Sequence, residues 1–502
     1  MKKVEAKSGE IVMPDNNFLL RILDNAEILQ GKISDNKGFC IDSRSIKKGE
    51  IFIALKGANC DGHDFLEDAI NKGATGLILD KSNKKLIDKL NKKDIKDKFI
   101  LLLEDPLNSL LKLANAWRKE FEFPVVAITG SVGKTSTKEI LSNIISLSGK
   151  KYFVSSGNQN TLIGVILNIL KLNQGYSGAI FELGINKRGE MEKLVELLKP
   201  TLAIITAIGH SHMAGLGSVN DIAIEKRQIF KLFKENNIGI VNGDQFLLAS
   251  IGYKHPVLKF GCKTTNQVQA RKVKVTEDGL NIVLKLYNKK YNIIVPIFSI
   301  NYVYNYLAAA SAALLLNISD EIIIKAIQRP IKIKGRFELK KMINNWGTII
   351  DDCYNASPES VKSAILSFES IEVSGKKIFV FSDMFELGQD SSFWHRQIGR
   401  FLQKSPSVTN IILVGNQVKW TAKTLPVNLR AELVSNWQDA VKILEKTLVE
   451  DSLVLVKGST QGYKTGLINL VSHFVDKDTD DGVSIYAAKV VNDDIILGRR
   501  AK

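Results

Sequence analysis

Short apolar runs alternate along the chain with stretches in which apolar residues recur at helical spacing. The runs EIFIAL (Glu50–Leu55), GLILD (Gly76–Asp80), VVAIT (Val125–Thr129), GAIFEL (Gly178–Leu183) and LAIITAI (Leu202–Ile208) read as strands. The intervening SLLKLANAWRKEF, KTSTKEILSNIISL and RGEMEKLVELL read as amphipathic helices. Strands that are apolar on both faces suit a mostly parallel sheet covered on both sides, so the expected class is α/β. One segment breaks the pattern. VQARKVKVTEDGLNIVLKLYNKKYNIIVPI (Val268–Ile297) alternates with period two around Asp278-Gly279 and predicts an inserted β-meander.

The alternation falls into three blocks. A small N-terminal α/β domain (1–123) ends at Pro124, and a central domain (124–330) follows, with a mostly parallel sheet and helices on both faces. After RPIKIKGRFE the alternation restarts through GTIIDD, KIFVFSD, NIILVG and SLVLVKG, predicting a C-terminal Rossmann-like α/β domain (331–476). Residues 477–502 form a tail with no assigned role. The apolar run YLAAASAALLLNI (Tyr306–Ile318) is too short to span a bilayer, which takes roughly 20 residues, and reads as a buried helix.

The chemistry lies at TGSVGKTS, between the strand VVAIT and the helix that starts at Lys134. Gly130 and Gly133 let successive backbone N–H groups curl inward beside a helix N-terminus, which makes a phosphate cradle. Within it Lys134 would reach the β/γ-phosphates and Thr135 would ligand magnesium, with Thr129, Ser131, Val132 and Ser136 completing the loop. The alternative is an ordinary strand-turn-helix junction that happens to contain a lysine. The strand before and the helix after favour the nucleotide loop.

Composition narrows the setting. The net charge of +16 over 502 residues admits nucleic-acid binding, attraction of small anions, or a lysine-rich solvated surface. The densest run, Lys81–Lys98, carries Leu86, Ile87, Leu90 and Ile95 near helical spacing and no interleaved aromatics, so it predicts a solvated helix face rather than a nucleic-acid reader. Cys40, Cys60, Cys262 and Cys353 are scattered, without a C-x-x-C pair, and read as reduced structural cysteines. The N-terminus has no apolar signal core, so a cytoplasmic protein is expected.

TGSVGKTS, with Ile128 where P-loops carry their first glycine, resembles the Mur ligase family, which joins amino acids or peptides to cell-wall precursors using ATP. Further stretches agree. DSRSIKKGEIFIALKGANCDGHDFLEDAINKGA (Asp42–Ala74) is similar to the family's N-terminal domain, which implies that Ser43 and Arg44 bind the uridine nucleotide of the substrate. GNQNTLIGVILNIL resembles the substrate loop, implying Asn160 and Thr161 as contacts, although Thr161 reads equally as a helix N-cap. FELGINKRGEM and AIGHSHMAGLGS end neighbouring strands, and the resemblance assigns Glu182 and His212 to magnesium while leaving His210 without a role.

IAIEKRQIF aligns with the stretch whose lysine is carbamylated in the family, which implies that modification at Lys226. SINYVYNYLAAASAAL puts Asn305 at the adenine, with Ser299 and Asn301 departing from the family's glycine and histidine. GRFE supplies Arg336, carried to the γ-phosphate by domain closure hinged at Pro330–Gly335. DDCYNASPES contributes Asn355 and either Asp351 or Asp352 to the nucleotide, with Asp352 preferred. In VLVKGST, Lys457 is a candidate anion contact, Thr460 stands where the family has arginine, and His395 is expected to tether a loop.

The resemblance therefore implies an ATP- and Mg2+-dependent ligase, with Lys134, Lys226, His212 and Arg336 as catalytic groups. It would add D-alanyl-D-alanine to UDP-N-acetylmuramoyl-tripeptide through an acyl phosphate, in peptidoglycan synthesis. A monomer is expected, with no nucleic-acid partner and no transmembrane segment. Two alternatives stand beside it: a sister ligase adding a single amino acid, and an ATP-binding homologue that has lost catalysis. The absence of a DNPR-type turn argues against the first, and retention of Glu182, His212 and Lys226 against the second.

Overall fold

The structure, a computed structural model, describes residues 14, 16–23, 26–32, 37–57, 60–426, 429–459 and 466–475. Thr460 and the tail 477–502 lie outside the described residues. Twenty described strands form three sheets, of five, nine and six strands. The chain divides into two compact units, one drawing on Met1–Ala127, Lys150–Gly184 and Glu190–Thr201, the other on Ile128–Gly149, Ile185–Gly189 and Leu202–Lys502.

In the first unit, β1 (Glu27–Gln30), β2 (Phe39–Cys40), β3 (Ile51–Ile53), β4 (Gly76–Asp80) and β5 (Phe99–Leu103) stand in the order β1-β5-β4-β3-β2. β2 to β5 are parallel and β1 is antiparallel to β5. Phe52, Leu77, Leu79, Ile100 and Leu102 form one face of its core. The lysine-rich stretch is not one α-helix. Lys81–Lys89 winds as a 3-10 helix and Lys92–Ile95 as a short α-helix, with Leu86, Ile87 and Leu90 only half-buried against the core. Four apolar residues among its lysines are too few to anchor one long helix on the core, while the charges stay solvated, as expected.

β6 (Val125–Thr129) is buried at every position and leads into the helix Lys134–Leu147. β7 (Tyr152–Val154) and β8 (Gly178–Glu182) pair in parallel. β9 (Leu202–Ile205), β10 (Ile238–Asn242) and β11 (Val257–Gly261) are parallel neighbours, and β11 pairs in parallel with β12 (Val268–Thr276). β12, β13 (Gly279–Leu286) and β14 (Lys289–Val295) form the expected meander, which extends the sheet instead of standing apart from it. Its turn is shifted by one residue: Thr276 pairs with Gly279, so Glu277-Asp278 is the tip. The alanine-rich helix Tyr302–Leu315 is buried along most of its length and packs on Lys134–Leu147, because small side chains let the two helices approach closely.

β15 (Glu338–Lys341), β16 (Gly347–Asp352), β17 (Lys377–Ser382), β18 (Val408–Val414), β19 (Arg430–Val434) and β20 (Ser452–Lys457) form the C-terminal sheet in the order β15-β16-β20-β17-β18-β19. Only the edge strand β15 is antiparallel. Asp352 and Lys457 end adjacent strands in register, at the carboxyl edge where open α/β sheets carry ligand groups.

Candidate active site

The phosphate loop is a tight structure with a support beneath it. Gly133, with φ of +86°, occupies the N-cap of the helix Lys134–Leu147, and a Cβ there would overlap the side-chain oxygen of Asn305. A Cβ on Gly130 would overlap the Thr206 hydroxyl. Neither position has room for a side chain. Lys134 Nζ folds back over the loop and donates to the Gly130 carbonyl at 2.8 Å.

The support is the segment after β9, of which the sequence singles out only the two histidines. Thr206 Oγ1 donates to the Val132 carbonyl at 2.6 Å and to that of Thr129 at 3.2 Å. The Ser131 N–H donates to the Ala207 carbonyl at 2.7 Å, and Ser131 Oγ both donates to the Gly209 carbonyl (3.1 Å) and accepts from its N–H (2.9 Å). Ser211 Oγ closes the set on the Ser131 carbonyl at 3.2 Å. Gln245 brackets Ile208, accepting from its N–H at 2.7 Å and donating to its carbonyl at 3.1 Å. The Ser131 side chain is thus engaged by the supporting segment. Asn305 lies against Gly133, at the phosphate loop. Ser136 is buried and shares a hydrogen bond with Tyr302, whose hydroxyl donates to the Arg336 carbonyl at 2.8 Å.

Lys226 ends a helix, Val219–Arg227, fixed at its start by the Ser218/Asp221 capping box and by Arg188 on Asp221 at 2.9 Å. Its side chain is completely buried and Nζ has no hydrogen-bond partner. Burial holds the amine well below its ordinary basicity; repulsion from Lys134 adds to this and Glu225 opposes it. Burial therefore favours the neutral, nucleophilic form of this amine.

His212 has a left-handed backbone (φ +62°), and its Nδ1 lies 2.6 Å from Glu386 Oε2. His210 is far from idle. Its N–H donates to Glu359 Oε1 at 3.0 Å, its ring pairs with the same carboxylate, and it packs on Trp394 at 4.1 Å between centroids. Burial pushes the Glu359 carboxyl up, but its bonds to His210 prevail and hold it below the usual range. In the other unit Glu182 is buried at the end of β8, its N–H donating to Ser155 Oγ at 3.0 Å and its Oε1 accepting from Asn160 at 2.9 Å. Asn160 and Glu182 thus meet. Thr161 holds the N-cap position of Leu162–Ile169 with an exposed side chain that makes no capping bond. Ser43 is buried on Asp68, while Arg44 is exposed and held in a bidentate pair by Asp42 at 2.9 and 2.8 Å.

The turn Gly335-Arg336 sets the Arg336 guanidinium on the Tyr354 ring, 3.9 Å from its centroid, with Nε buried and unpartnered. Asp351 is taken by Lys340 at 2.9 Å and by the Cys353 N–H at 3.2 Å. Asp352 pairs with Lys457 at 2.9 Å, and burial still raises its carboxyl above the usual range against Lys457 and Arg336. Lys457 is a loop anchor: fully buried, it also donates to the carbonyls of Asn355 (2.7 Å) and Asp352 (3.3 Å), which uses all three of its protons. The Asn355 side chain accepts from the Ala356 N–H at 2.9 Å. His395 tethers as expected, Nε2 accepting from the Met384 N–H at 3.1 Å and Nδ1 bonding the Ser391 carbonyl at 2.8 Å.

Removing one partner of a buried pair leaves the other uncompensated, so Lys457→Met is expected to lower unfolding free energy by about 3–5 kcal/mol. Adding Asp352→Asn should restore part of it. Chemical denaturation of both variants checks this; equal stability of Lys457→Met and the parent would refute the anchor.

The described residues contain no helix long and apolar enough to cross a membrane and no group of three or more His, Cys, Asp or Glu suited to a metal ion. The second observation is compatible with magnesium, which takes one or two carboxylates beside substrate phosphates and water. The Lys226 amine, buried without a partner, is disfavoured as a cation, so it does not oppose a divalent ion beside Thr135 and His212.

Comparison with known proteins gives this site its relatives. The family model described as Mur ligase family, catalytic domain, matches residues 37–103; that of the Mur ligase middle domain matches 128–313, and that of the Mur ligase glutamate ligase domain matches 335–460. The UDP-N-acetylmuramoyl-tripeptide--D-alanyl-D-alanine ligase of Rickettsia prowazekii is 31% identical over 83% of this chain and 91% of its own length. A crystal structure of MurF from Acinetobacter baumannii superposes with a TM-score of 0.79 at 25% identity, over 92% of this chain and 99% of that one. MurF ligase from Thermotoga maritima in complex with ADP gives 0.74 at 25% identity, over 88% and 99%. With three successive domain models matched and 31% identity sustained over 91% of a curated relative, the chain belongs to the Mur ligase family.

Proposed function

We propose that the protein is an ATP-dependent ligase that joins D-alanyl-D-alanine to UDP-N-acetylmuramoyl-tripeptide in peptidoglycan precursor synthesis, acting as a cytoplasmic monomer. The observation that carries the reading is the match to a ligase of that name along 91% of its length. The closed phosphate loop, with no room for a side chain on Gly130 or Gly133, supports ATP as co-substrate. In this reading 1–123 holds the UDP substrate through Ser43 and Arg44, 124–330 holds ATP, and 331–476 closes the site.

A carboxylate is a poor electrophile, so it is first converted to an acyl phosphate. The loop N–H groups and Lys134 orient the γ-phosphoryl while the tripeptide carboxylate attacks phosphorus and ADP departs. Asn160 and Thr161 hold the muramoyl peptide; Asn305, Asp352 and Asn355 hold the nucleotide. Thr135, Glu182 and His212 would hold magnesium, which supplies charge neutralisation at phosphoryl oxygens. The dipeptide amine then attacks the acyl carbon, the C–O bond to phosphate breaks, and the amine proton is released to solvent. Arg336 adds positive charge late, when its turn closes on the nucleotide. Lys226, whose neutral form burial favours, reacts with carbon dioxide to give a carbamate and a proton.

Purified protein with ATP, magnesium and UDP-muramoyl-tripeptide is expected to release ADP and phosphate with D-alanyl-D-alanine and not with single amino acids. Release with a lone amino acid would make it a sister ligase. No release with any acceptor would leave only an ATP-binding homologue.

A further inference from the structure

The segment 206–212 is bonded on two sides. One side carries the phosphate loop, through Thr206, Ala207, Gly209 and Ser211. The other is held by carboxylates that follow strands of the C-terminal sheet. Glu359 accepts from the His210 N–H at 3.0 Å and lies so close to Gly209 that a Cβ there would stand 2.7 Å from the Glu359 carboxyl carbon. Glu386 sits 2.6 Å from His212 Nδ1, and its carbonyl accepts from the Ala214 N–H at 3.2 Å.

The backbone marks the second contact as built. His212 (φ +62°) and Glu386 (φ +64°) are both non-glycine residues in the left-handed region, which persists only where surrounding contacts over-determine it. An apolar contact would hold two layers together equally well. A carboxylate on Nδ1 does something more specific: it accepts only, so it draws the imidazole proton to Nδ1 and leaves the Nε2 lone pair for a ligand.

We infer that Glu386 is a positioning residue that fixes the orientation and tautomer of His212, making the imidazole's readiness for magnesium depend on the C-terminal sheet being in place. The inference rests on the proposed role of His212 as a metal ligand. A carboxylate that bonds a metal-ligating histidine typically changes metal affinity by about 10- to 100-fold without touching the metal.

The test uses the full chain labelled with 15N-histidine and free of metal, with the His212 ring signals identified by their loss in His212→Gln. Wild type is expected to carry the His212 proton on Nδ1; Glu386→Gln, whose amide oxygen still accepts, keeps it there; Glu386→Ala moves it to Nε2. Electron paramagnetic resonance titration of Mn2+ in the presence of ADP should then show at least a tenfold loss of affinity in Glu386→Ala and less than threefold in Glu386→Gln. A wild-type His212 protonated on Nε2, or a Glu386→Ala variant with unchanged Mn2+ affinity, overturns the inference even if ligation proceeds. Absence of ADP release by wild type would instead overturn the proposed function, and the metal-free ring signals read the Glu386 contact independently of that outcome.

Discussion

Gly133→Ala is expected to lower kcat/KM for ATP about 100-fold or more while leaving the circular dichroism spectrum unchanged. Two effects combine. An L residue at φ +86° costs roughly 1–2 kcal/mol, and forcing a methyl group into a filled site costs about 1–3 kcal/mol more. The methyl overlaps the Asn305 side-chain oxygen, and Asn305 projects from the buried helix Tyr302–Leu315, which cannot back away. The loop must therefore move, and each ~1.4 kcal/mol lost in the transition state is tenfold in rate. The mechanism predicts its own partial rescue. Adding Asn305→Ala removes the overlapping oxygen but also the proposed nucleotide contact, so the double variant should regain unfolding free energy over Gly133→Ala, by up to the ~1–3 kcal/mol assigned to overlap, without regaining kcat/KM. Gly130→Ala meets Thr206 instead and should gain nothing from Asn305→Ala. A Gly133→Ala enzyme within threefold of wild type would show that the loop does not need this shape.

The loop was legible because its information is local. VVAIT, two glycines and a lysine-threonine pair encode a strand, a turn and a helix start within eleven residues of chain, Val125–Thr135, and the strand Val125–Thr129 and helix Lys134–Leu147 occur where the periodicity put them. The meander was equally local, missed only by one residue at its turn: Asp-Gly is the stronger two-residue signal, but Gly279 (φ +124°) pairs with Thr276 as the first residue of the returning strand.

What escaped is long-range. Thr206, Gln245 and Tyr302 look ordinary in sequence, yet Thr206 supports Val132 from 74 positions away and Tyr302 reaches the Arg336 carbonyl across 34. Such contacts depend on which strands become neighbours, which no local pattern states. Lys457 shows the same limit in reverse: a lysine at a strand end suggests an anion contact, and only the pairing of β20 with β16 turns it onto Asp352 and the Asn355 carbonyl. His210 carries no expected site role, and its structural one stayed hidden because its partners, Glu359 and Trp394, come from another sheet's helices.

Lys226→Met is expected to abolish most ligation, about 100-fold or more in kcat as for loss of a preorganised charged group, and yet to stabilise the fold at neutral pH. The amine is fully buried without a partner, and its pKa is driven down from 10.5, chiefly by burial. Between the lowered folded value and 10.5, the unfolded chain binds one proton more than the folded one, so stability rises with pH by about 1.4 kcal/mol per unit over that interval. Methionine fills a similar volume and binds no proton. Its advantage in carbon-dioxide-free buffer should therefore be largest at low pH, shrink once pH passes the lowered folded value, and vanish as pH approaches 10.5. Carbon dioxide supplies the second half of the test. Wild-type enzyme stripped of bicarbonate should lose activity and recover it when bicarbonate returns, because only a neutral amine can form the carbamate; Lys226→Met should not respond. Thermal melts across pH, paired with ADP release with and without bicarbonate, separate the two halves: a Met variant less stable than wild type at pH 7 would mean that the amine is charged and paired, and activity indifferent to bicarbonate would mean that it acts unmodified.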